Sequence, residues 1–343
     1  MTRTELSTIG EFGLISRINQ QFTPQLSQTI KGIGDDAAVI DTGTDEYLLV
    51  STDMLVEGVH FDLSYAPLKH LGYKAIAVNV SDIAAMNGIP RQVTVSVGLS
   101  NRFSVEAIDE LYAGIQAACE AYKVDLVGGD TTASRSGLVI SVTALGVVEK
   151  SKIAYRNGAK PNDIICVTGD LGAAYVGLQL LEREKREFLE NPNMQPQLED
   201  KSYVVGRQLK PEARTDIVYE LQDAGVIPTS MIDISDGLAS EILHLCTQSG
   251  VGAQVFEENL PIADETYLAN DEFKLSPLTG ALNGGEDYEL LFTIQQSDYE
   301  KIKNSPHISF VGFMTNQPDQ VELITKGGGR FPIQAQGWQH LSK

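Results

Sequence analysis

Residues 93–122, VTVSVGLSNRFSVEAIDELYAGIQAACEAY, pass from the pattern of a β-strand to the pattern of an α-helix. Apolar residues alternate with polar or small ones over residues 93–99, which is typical of a strand with one buried face. Over residues 105–122 they recur every three or four positions, directly after Ser104, a residue type favoured at helix N-termini. A strand followed closely by an amphipathic helix predicts an α/β fold or a mixed α+β fold.

The alternation of strands and helices extends in both directions along the chain. An Ala-rich segment at 69–86 predicts a helix that ends at Asn87-Gly88. The other predicted strands cover residues 47–52, 138–148, 164–168, 290–294, 308–313 and 321–325, and the other predicted helices cover 173–190 and 238–248. The polar segment 149–163 contains Gly and Pro, so we place a domain boundary there and predict domains at residues 1–150 and 151–343.

The composition is that of an acidic globular protein. The 343 residues include 46 Asp and Glu against 26 Lys and Arg, which gives a formal net charge of −20. Because a nucleic-acid-binding surface must be basic, we expect no nucleic acid as a partner. The apolar stretch 138–148 is too short to span a bilayer, so we expect no membrane partner either. An acidic protein that handles phosphate groups must recruit cations.

The cysteines and the N-terminus favour a cytoplasmic protein. Cys119, Cys166 and Cys246 are far apart in the sequence and form neither a metal-binding pair nor a disulfide framework. Such residues are typical of small buried side chains in a reducing compartment. The first residues, MTRTELSTIGEF, contain no apolar signal segment.

Acidic residues occur repeatedly where predicted strands end. They are Asp35 and Asp36 in GIGDDAAVI, Asp53 after YLLVST, Asp82 in AVNVSDIAAM, Asp130 in VGGDTT, and Asp233 and Asp236 in MIDISDGL. Carboxylates at one edge of a sheet can converge on a ligand, but they repel one another unless cations lie between them. Mg²⁺ prefers oxygen ligands and leaves positions for water and phosphate. As a set, these acids therefore predict a magnesium site.

A purely structural interpretation remains for each acid alone. Asp next to Gly is common in turns, and Asp236 can instead cap the helix that begins near Leu238. Asp82 fits this interpretation least, because an acid inside a segment rich in Ala, Val and Ile is costly unless it is paired or bound to metal.

Several common nucleotide and hydrolase motifs are excluded. The segment GIGDDA at 32–37 has the spacing of a dinucleotide fingerprint, but its two acids would repel a pyrophosphate and a strand-like segment follows it. The sequence contains no G-x-x-x-x-G-K-[ST] loop, H-R-D, D-F-G, H-E-x-x-H or G-x-S-x-G motif. P-loop enzymes, protein kinases and the hydrolases that use the last two motifs are therefore excluded.

Seven segments in order along the chain resemble the thiamine-monophosphate kinase family, over about residues 10–341. They are GIGDDAAVI (32–40), STDMLVEGVHF (51–61), AVNVSDIAAM (77–86), VGGDTT (127–132), YRNGAKPND (155–163), MIDISDGL (231–238) and GGEDYELLF (284–292). The resemblance implies the two-domain fold of aminoimidazole ribonucleotide synthetase-like proteins. Its N-terminal domain would carry a mixed sheet with helices, the ATP and Mg²⁺ sites and the dimer contact, and a C-terminal α/β domain would complete the nucleotide and thiamine phosphate site.

The same resemblance implies site residues and partners. The implied metal ligands, for several Mg²⁺ ions, are Asp36, Ser51, Thr52, Asp53, Asp82, Asp130, Asp233 and Asp236. The implied ATP contacts are Tyr112, Gly129, Asp130, Arg156 and Ser235, and the implied thiamine contacts are His60, Glu286 and Trp338. It also implies a homodimer that uses ATP as co-substrate and thiamine monophosphate as acceptor.

No catalytic side chain is expected, because a phosphate monoester is largely dianionic at neutral pH and needs no general base. Metal ions would hold the two phosphates in line and offset their repulsion. Two alternatives stay open. One is another ATP-dependent enzyme of the same superfamily, which makes a purine intermediate, and the other is a non-catalytic protein that binds metal or nucleotide.

Overall fold

The computed structural model describes residues 5–336, which form two β-sheets with helices packed on them. The strands are β1 (Thr29–Lys31), β2 (Ala38–Asp41), β3 (Glu46–Val56), β4 (Ile89–Leu99), β5 (Asp125–Ala133), β6 (Val139–Glu149), β7 (Ile164–Thr168), β8 (Ser230–Ile234), β9 (Gly252–Phe256), β10 (Glu289–Ile294), β11 (Ile308–Thr315), β12 (Val321–Ile324) and β13 (Arg330–Pro332). The α-helices are α1 (Gly10–Asn19), α2 (Leu68–Ala85), α3 (Val105–Tyr122), α4 (Ala173–Glu190), α5 (Ser202–Leu209), α6 (Thr215–Asp223), α7 (Leu238–Ser249), α8 (Asp264–Phe273), α9 (Pro277–Asn283) and α10 (Tyr299–Ile302).

The first sheet has the order β1-β2-β3-β6-β4-β5 and is mixed, with β4 and β5 parallel and its other pairs antiparallel. Along β6, buried residues such as Ile140 and Val142 alternate with partly exposed ones, as in a sheet that buries one face. Leu49, Ile76 and Ile115 join them in one core between this sheet and helices α2 and α3.

The second sheet has the order β13-β12-β9-β11-β7-β10-β8, and only its β9–β12 pair is parallel. Strands β8 and β10 are buried along their whole length, because helices and loops cover both of their faces. The chain leaves the first sheet at Glu149 and enters the second at Ile164.

Helix α2 lies between the two sheets. It contacts β3, β4 and β6 of the first sheet and β8 and β10 of the second. Most of its residues are buried, including Lys74 and Asn79. Because this helix is buried on nearly all sides, its few polar side chains lie at the junction between the sheets.

The predicted fold class is confirmed, and so are the predicted elements. Helix α2 ends one residue before the predicted end, and the hydroxyl of Ser104 caps α3 by accepting from the amide of Ala107. Within residues 5–336, no helix is both long and apolar enough to cross a membrane.

The expected strand ends differ at three of the acids. Asp53 lies inside β3, since that strand pairs with β6 as far as Val56. Asp82 lies near the end of helix α2, and Asp130 lies inside β5. β5 escaped prediction because every residue in it is exposed, so it shows no apolar alternation.

Candidate active site

Three carboxylates from separate parts of the chain meet beside helix α2. Asp36 precedes β2, Asp82 lies on α2 and Asp233 lies on β8, and their carboxylate oxygens are all within 4.8 Å of one another. Burial and the charge of Asp36 raise the pKa of Asp233 to about 7. Burial, followed by the charge of Asp53, raises the pKa of Asp82 well above its usual range. These acids are therefore unfavourably close without a cation, and an all-oxygen donor set fits Mg²⁺.

Hydroxyl groups orient two of these acids. The Ser51 hydroxyl donates to Oδ2 of Asp82, and the Ser81 hydroxyl donates to Oδ2 of Asp233 at 2.6 Å. Ser51 and Asp53 lie two residues apart on β3, so their side chains share one face of the sheet. Burial and the charge of Asp36 raise the pKa of Asp53, which places this fourth acid in the same electrostatic environment.

Arg156 supplies a cation beside this group. Its Nη2 donates to Oδ1 of Asp36 at 2.6 Å and its Nε donates to Oδ2 at 3.2 Å. Its main-chain amide donates to Asp35, so the loop after the first sheet is tied to the segment before β2. The guanidinium of Arg156 therefore offsets the charge of Asp36. These hydrogen bonds of Arg156 include none to Asp82 or Asp233.

The ligand roles of all eight predicted residues stay predictions, and five of the eight are not among the three acids that converge. The Thr52 hydroxyl is on the opposite face of β3, where it donates to the carbonyl of Val142 at 3.0 Å. Asp130 is on β5, three strands away from β3, or about 14 Å at the usual strand spacing. Asp236 follows β8, and its amide donates to Glu241. Gly237 is the N-cap residue of α7, and Asp236 directly precedes it.

The predicted ATP contacts fall in two places. Tyr112, Gly129 and Asp130 line one pocket of about 460 Å³ at the β4–β5 edge of the first sheet, a volume typical of small-molecule sites. A Cβ on Gly129 would meet the carbonyl oxygen of Val95 at 1.8 Å, so only glycine fits this approach of two strands. Arg156 and Ser235 lie instead near the acids, Arg156 on Asp36 and Ser235 directly after β8.

A second pocket is much smaller, about 20 Å³, with room for about one water molecule, and one of the three predicted substrate contacts lines it. His60 lines it together with Lys74 and Gln208, and the His60 Nδ1 accepts from the amide of Val56 at 3.0 Å. Glu286 borders it through its partners, because both Lys74 and Gln208 donate to Oε2 of Glu286. Trp338 lies outside the described residues.

Lys74, Gln208 and Tyr288 were not predicted as site residues. Lys74 carried a usable signal, because a lysine among Ala, Ile and Val residues eight positions before Asp82 lies on a similar face of the helix. Gln208 and Tyr288 carried no such signal in the sequence. Tyr288 donates to Oε1 of Glu286, and burial followed by the charge of Glu286 raises its pKa well above the usual range.

Comparison with known proteins finds relatives that match nearly the whole chain. The family described as AIR synthase related protein, N-terminal domain, matches residues 34–148. A protein of Bacillus subtilis (strain 168) named thiamine-monophosphate kinase is 34% identical over 337 residues, 96% of this chain and 99% of that protein. The solved structure "AaThiL complexed with AMPPCP and TMP" is 33% identical, covers 99% of this chain and 100% of its own, and superposes with a TM-score of 0.84.

A hydrogenase maturation protein, HypE, solved in complex with ATP, is only 18% identical and covers 98% of this chain and 99% of its own. Its TM-score of 0.68 shows a shared fold alone. The match to the Bacillus protein, at 34% identity over nearly the whole length of both chains, shows the family as well as the fold. The chain therefore belongs to the thiamine-monophosphate kinase family.

Proposed function

We propose that this protein transfers the terminal phosphoryl group of ATP to thiamine monophosphate, which yields thiamine diphosphate and ADP. The observation that carries the proposal is the convergence of Asp36, Asp82 and Asp233 beside helix α2, at the junction of the two sheets. Its relatives support it, since the Bacillus protein is named for this reaction and AaThiL was solved with AMPPCP and TMP.

The side chains of the chain bind and orient, and none needs to take a proton from the acceptor. Asp36, Asp82 and Asp233 would hold Mg²⁺, with Asp53 beside them, while Ser51 and Ser81 fix the direction of two carboxylates. Bound Mg²⁺ would supply the positive charge that lets two phosphates approach in line. Arg156, which is bonded to Asp36, would also contact a phosphate of ATP.

A product assay tests the proposal directly. Purified protein, ATP, Mg²⁺ and thiamine monophosphate are incubated, and the products are separated by chromatography. We expect thiamine diphosphate and ADP in equal amounts, and neither when the thiamine substrate is omitted or when EDTA is added. If ATP binds but no diphosphate forms, the fold stands and the kinase function is wrong.

The domain roles and the homodimer belong to the same proposal. Residues 1–150 would carry the ATP and Mg²⁺ sites and the dimer contact, and residues 151–343 would complete the substrate site. β5 is an edge strand with Leu126 and Val127 exposed at 42% and 58%, and unpaired edges of this kind invite pairing with another chain. The cysteines are free thiols, in keeping with our proposal of a cytoplasmic protein.

Val127→Arg is expected to shift the protein from dimer to monomer, because it places a charge in the proposed contact while Val127 does not line the pocket beside Gly129. Light scattering coupled to size-exclusion chromatography measures the change. Val105→Arg, at an exposed position on α3, is the matched control and should leave the mass unchanged. A dimer that persists in the Val127 variant would place the contact elsewhere.

Trp338→Ala is expected to raise the KM for thiamine monophosphate and to leave the KM for ATP unchanged. A cation–π contact with the thiazolium ring is worth about 0.5–2 kcal/mol, or about 2-fold to 30-fold in KM. Steady-state kinetics with each substrate varied in turn measures the effect. An unchanged KM for thiamine monophosphate would remove the stacking role.

A further inference from the structure

Glu286 is held by one of its two carboxylate oxygens. Lys74 and Gln208 both donate to Oε2, Gln208 at 3.1 Å. Among the described residues, Oε1 receives only the hydroxyl of Tyr288, at 3.3 Å. Because a carboxylate oxygen can accept two hydrogen bonds, Oε1 has capacity for another donor and Oε2 does not.

Lys74 is placed to fix this carboxylate. It is 3% exposed on helix α2, and its ammonium also donates to the carbonyl of Gln208 at 3.2 Å. A buried ammonium is strongly unfavourable without a carboxylate partner, so the pair with Glu286 constrains both groups. The backbone of Glu286 has a φ of +62°, which a side chain of its kind adopts only when surrounding contacts impose it.

Gln208 offers a second acceptor at the same place. The residue is 6% exposed and lines the pocket with His60. Its Nε2 must face Glu286, because the amide oxygen would repel the carboxylate. Its Oε1 is buried and has no hydrogen-bond partner among residues 5–336. A buried acceptor of this kind is expected to have a partner, and a bound ligand can supply it.

We propose that Lys74 is a positioning residue that holds Glu286 so that Oε1 of Glu286 and Oε1 of Gln208 together receive the primary amine of the aminopyrimidine ring of the substrate. This inference rests on the proposed function. An amine carries two N–H donors and thus matches two acceptors. The eight residues from Lys74 to Asp82 span about 12 Å of helix, which separates the amine end of the site from the phosphate end.

The test combines two variants with two acceptors. Lys74→Met and Gln208→Leu each remove one polar group and keep a similar volume. The acceptors are thiamine monophosphate and the analogue in which a carbonyl oxygen replaces the amine. We expect the wild-type protein to prefer the amine by at least about tenfold in kcat/KM, because the analogue leaves a buried acceptor unpaired.

Both variants should raise the KM for thiamine monophosphate by at least about tenfold and should lose most of the preference for the amine over the carbonyl analogue. Their kcat and their KM for ATP should stay within about threefold of the wild-type values. Loss of structure alone would not produce this selective change. Lys152→Met, which removes a partly exposed lysine paired with Glu149, is the control and should match wild type.

Three outcomes separate the alternatives. If the wild-type protein turns over thiamine monophosphate and both variants keep its full preference for the amine, the assignment of Lys74 and Gln208 is wrong and the proposed function stands. If the wild-type protein makes no thiamine diphosphate, the proposed function fails first. If Lys74→Met does not fold, Gln208→Leu decides the question, because it leaves the pair of Lys74 and Glu286 in place.

Discussion

Replacing Asp82 by asparagine is expected to lower kcat by about 10³-fold or more, which corresponds to about 4 kcal/mol of lost transition-state stabilisation. The reason is that one carboxylate oxygen of Asp82 lies within 4.8 Å of an oxygen of Asp36 and of an oxygen of Asp233. Asparagine keeps the shape but removes the charge that would hold Mg²⁺. Steady-state kinetics at saturating Mg²⁺, with calorimetric titration of the ion, measures the loss.

The same variant should not destabilise the metal-free protein. Burial and neighbouring acids raise the pKa of Asp82, so its ionised form opposes folding at neutral pH and its removal relieves repulsion. In EDTA, the Tm of Asp82→Asn should therefore equal or exceed that of the wild type. Asp109→Asn, at an exposed position on α3, is the control for both measurements. Near-normal turnover of Asp82→Asn at saturating Mg²⁺ would contradict its assignment as a ligand.

Local patterns predicted the elements well because each element carries its signal within its own segment. The helix over 105–122 shows a helical period, whereas the strands over 164–168 and 290–294 are short, mainly apolar runs. Asp82 could be singled out in the same way, since one acid in an apolar helix conflicts with its surroundings. The repeated acids at predicted strand ends supplied its candidate partners, and the structure brings two of them, Asp36 and Asp233, together with Asp82.

What escaped prediction depends on contacts between distant parts of the chain. Gln208 reaches Glu286 across 78 residues and Lys74 reaches it across 212, and no local pattern encodes such pairs. β5 escaped because its exposed residues follow no period, and its position decides how far Asp130 lies from the cluster. The sequence did not show that β3 continues past Thr52 and through Asp53. Because it does, the side chain of Thr52 points to the opposite face of the sheet from those of Ser51 and Asp53.

A buried ion-pair network links helix α5, which contributes Gln208 to the pocket that His60 lines, to the second sheet. Glu289 on β10 is 2% exposed and accepts from Arg207 at 3.0 Å and from Arg214 at 2.7 Å. The hydroxyl of Thr168 also donates to it, at 2.6 Å. A Cβ on Gly169, whose φ is +53°, would meet a Glu289 oxygen at 2.2 Å. Arg207 precedes Gln208 on α5, so this network also sets the position of the pocket wall.

Glu289→Ala is expected to lower the free energy of unfolding by about 3–5 kcal/mol, because it leaves two largely buried guanidinium groups without their shared carboxylate. Urea unfolding followed by circular dichroism measures the loss. Glu322→Ala is the matched control, since Glu322 pairs with a single exposed arginine, Arg330, and its removal should cost less than about 1 kcal/mol. Equal costs for the two variants would mean that solvent reaches Glu289. Replacing Glu289, Arg207 and Arg214 together by apolar residues should restore most of the stability, because the cost arises from unpaired buried charge and not from lost attraction.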